Sequence, residues 1–165
     1  YSRKQIPEEL KDAGRRTIKA FDSNSRFLHC EFFVLNEDKA GLGKKGDIFG
    51  LEVNMRPPGG YAPELANFAN SVDVYKIWAD MIAYDSTLVP MNGQHYFCGF
   101  CGRRDGKNYK MNHDDIMREY GHKMKLAGRT PDALSGAMAN QMYVANYDTE
   151  EEMMEAFRRM CEVWE

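Results

Sequence analysis

Glu52-Val53-Asn54-Met55-Arg56-Pro57-Pro58-Gly59-Gly60 is the stretch that decides how this chain is read. A carboxylate, an amide and a guanidinium stand at every second position, so in an extended segment all three project to one side. From Asp47 to Met55 the residues alternate as in a half-buried strand: Phe49, Leu51, Val53 and Met55 form one apolar set, Ile48, Gly50, Glu52 and Asn54 the other. Such a strand usually fills its second face with Thr, Ser or Lys. Glu52 and Asn54, separated only by Val53, instead make an oxygen-ligand pair. Hard cations such as Mg²⁺ take such ligands, commonly one or two carboxylates completed by substrate phosphates. Arg56 continues the parity past the strand end, where its planar fork of donors suits an oxyanion. Pro57-Pro58-Gly59-Gly60 then turns the chain and exposes backbone N–H groups.

The partner strand lies upstream. Arg26 to Leu35 is rich in aromatic and β-branched residues, and Asn36 to Gly46 separates it from the first strand with turn formers and charges, which predicts a hairpin with a long, solvated loop. Phe27, His29, Glu31, Phe33 and Leu35 share one face of this strand, so a single carboxylate again interrupts apolar residues. Two carboxylates about 5 Å apart repel by roughly 3 kcal/mol at an effective dielectric near 20. A divalent cation removes that penalty.

These residues resemble a known family. Glu31-Phe32, then Gly46-Asp47-Ile48-Phe49-Gly50-Leu51, then Glu52-Val53-Asn54-Met55-Arg56 is similar to the metal-binding strands of ATP-grasp ligases, the group that includes biotin carboxylase, carbamoyl phosphate synthetase and carboxylate-amine ligases. The resemblance extends from about Lys19 to Ile82. It implies that Glu31 and Glu52 bridge Mg²⁺, or Mn²⁺, to the phosphates of ATP, with Asn54 completing a second metal site. Arg56 then matches the arginine that steadies the transferring phosphoryl group or acyl phosphate, and Phe33 matches the apolar residue that contacts adenine. The loop from Asn36 to Gly46 is longer than the family's usual tight turn, and Asp47 would replace Glu31 as a ligand in a different hairpin register.

The resemblance further implies an α+β fold, the C-terminal part of an ATP-grasp domain over residues 1–84, with an antiparallel sheet and helices, followed by a small α+β appendage over 85–165. The family's glycine-rich lid and phosphate-binding lysines precede the strands seen here, so the missing N-terminal part of the same protein is an expected partner, and the segment alone is expected to be inactive. The implied activity is a Mg²⁺- and ATP-dependent ligation in which small-molecule carboxylate and nucleophile substrates meet through an acyl phosphate. A non-catalytic interaction or dimerisation domain on the same scaffold, such as a homodimer contact, is the alternative.

Composition fits one globular domain of ordinary size: 165 residues, 43% hydrophobic and 12% aromatic. A net charge of −3 and a pI near 5.9 give no reason to invoke nucleic acid or an anionic membrane. No apolar run approaches the roughly 20 residues of a membrane span. Four cysteines without disulfide-like spacing fit a reducing cytoplasm.

Elsewhere the pattern predicts a helix from about Ile6 to Phe21 with Leu10, Ala13, Ile18 and Phe21 inward. A second helix, capped by Asn70 or Ser71 and running to about Ala83, carries a core stripe of Val72, Ile77, Trp78, Met81 and Ile82. A strand is expected over Tyr96 to Arg103, a helix after Asn112, strands near His122 to Leu126 and from Met138 to Tyr147, and a last helix opened by a capping box at Thr149 and Glu152.

Four motifs compete for attention. His29-Cys30-Glu31 with Cys98-Gly99-Phe100-Cys101 imitates the halves of a zinc deaminase, but in a strand Cys98 and Cys101 face opposite sides. Gly41 to Gly46 lacks phosphate-loop spacing and reads as a hairpin tip. Arg103-Arg104 reads as a solvated pair, and His113-Asp114-Asp115 as a charged first helical turn.

Overall fold

The computed structural model describes residues 1–164 as an α+β fold with two small antiparallel sheets, one of two strands and one of three. In chain order the main elements are α1 (Glu8–Ala20), β1 (His29–Val34), β2 (Ile48–Asn54), α2 (Ala62–Asn70), α3 (Val74–Tyr84), β3 (Phe97–Arg103), α4 (His113–Tyr120), β4 (Met124–Arg129), α5 (Asp132–Met138), β5 (Gln141–Tyr147) and α6 (Glu150–Cys161). Among the described residues no helix is long and apolar enough to cross a membrane. The chain divides into two compact units. One holds Tyr1–Lys4, Gly59–Lys76 and everything from Val89 onward; the other holds Gln5–Pro58 and Ile77–Leu88. Both therefore draw on chain from either side of residue 84.

The unit containing β3, β4 and β5 has a packed core. Its strand order is β3-β5-β4, so β5 is paired on both edges. Both of its faces are covered, and Tyr143-Val144-Ala145-Asn146-Tyr147 is buried without interruption. Tyr143, Ala145 and Tyr147 join Cys101 of β3 against Ile116 of α4 and Met153, Ala156 and Met160 of α6. Val144 and Cys98 face the other way, onto Ala69, Leu65 and Phe68 of α2. Asn146 Nδ2 donates to the Phe68 carbonyl at 2.8 Å and ties the central strand to that helix. Helix α4 begins with a complete capping box, Asn112 accepting from the Asp115 amide at 2.9 Å and Asp115 accepting from the Asn112 amide at 3.1 Å. At α6 the box is half formed: Thr149 caps the Glu152 amide at 3.1 Å, but the Glu152 carboxylate accepts from the amide of Asp148, not of Thr149.

The other unit is thinly packed. Helix α1 lies along the β1-β2 hairpin with Ile6, Leu10, Gly14 and Ile18 opposite Leu28, Cys30, Phe32 and Val34, and the two surfaces border an open groove of about 460 Å³. Ala13 is its one buried apolar residue among those described. The hairpin loop has structure of its own. Lys39 bridges to Gly43, and Asp38 accepts from the Lys45 amide at 2.8 Å.

Several expected boundaries shift for identifiable reasons. Ser71 does not cap a helix; it ends α2 in the left-handed conformation (φ 53°), and Asp73 caps α3 by accepting from the Lys76 amide at 2.9 Å. The apolar stripe of α3 is not core, since none of its residues is buried. The run from Met138 does not start a strand: 132–138 is helical, and the chain enters β5 only after Ala139, at φ 74°, breaks the helix. His122 lies in a single 3-10 turn before β4.

Gly99 marks a close approach of α6 to the sheet. A Cβ there would lie 2.2 Å from the tip of the Phe157 ring and 3.0 Å from the Met153 sulfur. Gly99→Ala must therefore displace a half-buried ring, and we expect a loss of about 1–3 kcal/mol, measured by urea unfolding of the two proteins. Because the two units bury such different amounts of apolar surface, amides of β1 and β2 should exchange with solvent much faster than those of β3 and β5. Equal protection in hydrogen-exchange mass spectrometry would contradict that ranking.

Candidate functional site

The hairpin register assembles the site. His29 pairs with Asn54, Cys30 with Val53 and Glu31 with Glu52, after which the register slips and Phe32 pairs with Gly50, Phe33 with Phe49 and Val34 with Ile48. Leu51 has no partner, and this bulge reverses the parity of β2 beyond it. Cross-strand partners share a face. One face thus carries His29, Glu31, Phe33, Phe49, Glu52 and Asn54, while Cys30, Phe32, Val34, Ile48 and Val53 lie on the other. Strict alternation assigned Phe49 to the set of Val53; the bulge moves it beside Phe33 on the carboxylate face. The register also places Asp47. Asp47 sits at the far end of the hairpin, where its Oδ2 accepts from the Lys44 amide at 2.8 Å, and Glu31 is the residue opposite Glu52.

A chain of hydrogen bonds runs through this face. Asn54 Nδ2 donates to Glu52 Oε1 at 2.5 Å and lies 3.0 Å from His29 Nε2. His29 Nδ1 lies 3.2 Å from the Arg56 carbonyl oxygen, and Nε2 lies 3.6 Å from Glu31 Oε1. A carbonyl oxygen only accepts, so Nδ1 carries the ring proton and Nε2 accepts from Asn54. His29 was not singled out as a site residue from sequence, although it shares the parity of Glu31. It hydrogen-bonds two of the expected positions, the Asn54 side chain and the Arg56 backbone, and lies near a third, Glu31.

Glu31 and Glu52 are exposed, and their carboxylates are open to a ligand from solvent. Phe33 is 59% exposed beside them, a free aromatic surface next to two carboxylates. Arg56 is turned elsewhere. Its Nη1 donates to the Pro57 carbonyl at 3.0 Å, and the residue lines a groove of about 380 Å³ with Arg26, Phe27, Trp78, Met81 and Ile82. Among the described residues no hydrogen bond or ion pair joins the Arg56 side chain to Glu31, Glu52 or Asn54.

The donor set suits a divalent cation on one condition. No group of three or more His, Cys, Asp or Glu side chains converges on a single point among the described residues. Two paired carboxylates leave most of an octahedral shell to water or substrate oxygens, which is how Mg²⁺ usually binds when phosphates supply the rest. Asn54 now turns its amide nitrogen, not its oxygen, toward Glu52. It contributes an oxygen only after that amide rotates by half a turn.

The competing motifs resolve into structure. Cys98 and Cys101 belong to different core clusters on opposite faces of β3. Arg103 is not solvated but 4% exposed, its guanidinium carbon 3.9 Å from the centre of the Tyr109 ring, and Arg104 donates to the carbonyls of Ser135 and Gly136 at 2.6 and 2.8 Å. His113 opens α4 with Nδ1 3.0 Å from the Tyr143 hydroxyl.

No protein-family model and no curated protein matches the chain.

The network makes a spectroscopic prediction. Long-range ¹H–¹⁵N spectra of the protein without added metal should show His29 as the Nδ1–H tautomer, and Asn54→Leu should weaken that preference by removing the donor to Nε2. An Nε2–H tautomer in the unsubstituted protein would mean that Asn54 presents its oxygen to the ring instead.

Proposed function

We propose that this chain carries the metal- and phosphate-binding strand pair of an ATP-grasp ligase, in which ATP activates a small carboxylate as an acyl phosphate that an amine or similar nucleophile attacks. One observation supports the reading above all: Glu31 stands directly opposite Glu52, with Asn54 on the same exposed face. Two carboxylates paired across a hairpin destabilise it unless something positive lies between them. Glu31, Glu52 and Asn54 are the residues that would hold Mg²⁺ or Mn²⁺, which when bound neutralises phosphate charge. Phe33 and Phe49 offer the adjacent apolar surface for the base of ATP. Arg56, freed from the Pro57 carbonyl, supplies a planar fork for the transferring phosphoryl group or the carboxylate. Phosphoryl transfer demands positioning and charge neutralisation more than covalent help from the protein, and this donor set is of that kind. In this reading a lid with phosphate-binding lysines completes the nucleotide site, and the enzyme works in the cytoplasm.

A second reading also has an observation behind it. Ile82 is 73% exposed and Leu88 93% exposed, and the groove beside α1 is open and apolar, so the unit with the hairpin offers a surface for another protein or a second copy. In that case the scaffold is an interaction or dimerisation domain without catalysis.

Titration with MgATP separates the two. Calorimetry on this chain should give weak binding, with a dissociation constant of roughly a millimolar or more, because a hairpin alone leaves most of the triphosphate solvated. Glu52→Gln should abolish it. Micromolar affinity would mean that the nucleotide site is nearly complete without a lid; no binding that depends on Glu52 would favour the interaction domain.

In a chain that also carries the lid, Glu52→Gln should lower ATP turnover by a factor on the order of 10²–10³ with the fold intact. Undiminished Mg²⁺-dependent turnover would sink the assignment. Arg56→Lys should lower kcat far more than it raises KM for ATP, since Lys keeps the charge but loses the fork. A change confined to KM would move Arg56 to ground-state binding.

A further inference from the structure

A pair of thiols lies in the other unit, apart from the strand-pair residues. Cys101 of β3 and Cys161, the last residue of α6, bring their sulfurs to 3.3 Å. Their surroundings differ. Cys101 is 3% exposed within the core, whereas Cys161 is exposed at the helix end. Arg103 shares the Cys101 face of β3 and is itself buried. Its Nη2 donates to the Met111 carbonyl at 2.7 Å, while Nε and Nη1 are buried without a hydrogen-bond partner. Among the described residues no carboxylate pairs with it. A buried guanidinium without an anion is costly, and a thiolate beside it relieves that cost.

We propose that Cys101 and Cys161 form a peroxide-reactive dithiol, with Cys161 as the attacked sulfur and Cys101 as the thiol that resolves it. Both halves of the pair are tuned in the required direction. Cys161 is held below the ordinary thiol range chiefly because the Cys101 S–H donates to it, with Arg103 and Lys107 adding positive charge. Cys101 is pushed up by that same donation, by burial and by the neighbouring thiolate, so it keeps its proton until needed. Two features oppose a thiolate at Cys161: the negative end of α6 and the adjacent Glu162. The second is offset by Lys110, whose ammonium lies 2.7 Å from the Glu162 carboxylate.

The chemistry balances. The Cys161 thiolate attacks one oxygen of a hydroperoxide, the O–O bond breaks, and the departing oxygen leaves as water or alcohol after taking a proton, so that Cys161 becomes a sulfenic acid. Cys101 sulfur then attacks Cys161 sulfur, the S–O bond breaks, and the hydroxyl leaves as water with the Cys101 proton. Two thiols are oxidised by two electrons and one peroxide is reduced. The product is a bond from the edge strand β3 to the end of the helix that covers the sheet.

The test is oxidation of the reduced chain by hydrogen peroxide, quenched by alkylation and read by peptide mapping without reductant. We expect a Cys101–Cys161 cross-linked peptide to appear first, with Cys30 and Cys98 still alkylated after unfolding. Cys161→Ser should slow peroxide consumption by about tenfold or more. Cys101→Ala should leave a Cys161 sulfenic acid that dimedone traps; if that variant does not fold, the mapping of the unsubstituted chain decides alone. Oxidation of Cys30 ahead of Cys161, accumulation of Cys161 sulfinic acid without the cross-link, or an unchanged rate in Cys161→Ser would each overturn the proposal.

Discussion

Leu51 has no partner across the hairpin, and which side chains share a face follows from that one unpaired residue. Without the bulge, Phe49 would lie on the side of Val53, and Phe33 would stand alone beside the carboxylates. With it, β2 delivers Glu52 and Asn54 to the face of Glu31 and His29, and Phe49 to the same face further along. A bulge also sharpens the local twist. Gly50 sits next to Leu51, and glycine inside a strand is the usual companion of such an irregularity. The polar face is therefore a product of backbone geometry as much as of residue alternation.

Like charge facing like charge is the electrostatic consequence. Glu31 and Glu52 both remain in solvent, which screens them, and Asn54 absorbs part of the field at Glu52 by hydrogen bonding. The Asn54 amide is a good donor to one carboxylate but supplies no positive charge. His29 commits its Nδ1 proton to the Arg56 carbonyl, and its Nε2 accepts from Asn54. The network orders the carboxylates without neutralising them. That is the condition in which a divalent cation gains most from arriving.

Much of this was legible in the residues, and the failures have physical causes. The strand pair and its loop follow from alternation and composition, whereas the register that sets Glu31 opposite Glu52 is fixed only by the backbone pairing. Alternation carries no signal for a bulge, so Phe49 was assigned to the wrong face. Helix α2 escaped notice although Pro63 and Glu64 in its first turn, with Leu65, Phe68 and Ala69 at helical spacing, are ordinary marks of a helix start and an apolar stripe. Helix α5 was not foreseen, and its last residue, Met138, was given to the following strand; Met suits either state, and the positive φ of Ala139 separates helix from strand. Arg103 looked like a surface charge because no pattern in one strand reveals that Tyr109 and Met111 fold back over it. The pairing of Cys101 with Cys161 joins residues 60 positions apart and is visible only in three dimensions.

The two units differ in their packing. The three-stranded sheet is covered on both faces, and it holds the close sulfurs of Cys101 and Cys161. The hairpin has backbone pairing but little buried side-chain surface, with Ala13 the one buried apolar residue of its unit among the described residues. Backbone hydrogen bonds between two strands hold Glu31 and Glu52 in register, yet an isolated hairpin is marginal in water. Any ligand that uses this face must therefore supply the free energy of ordering it, in addition to what it gains from the carboxylates. Covering the apolar face of Cys30, Phe32 and Val34 lowers that cost, because the strands are then held from behind. The exposed apolar surface and the weak polar site are thus two sides of one constraint: the face that binds can be strong only when the face behind it is packed.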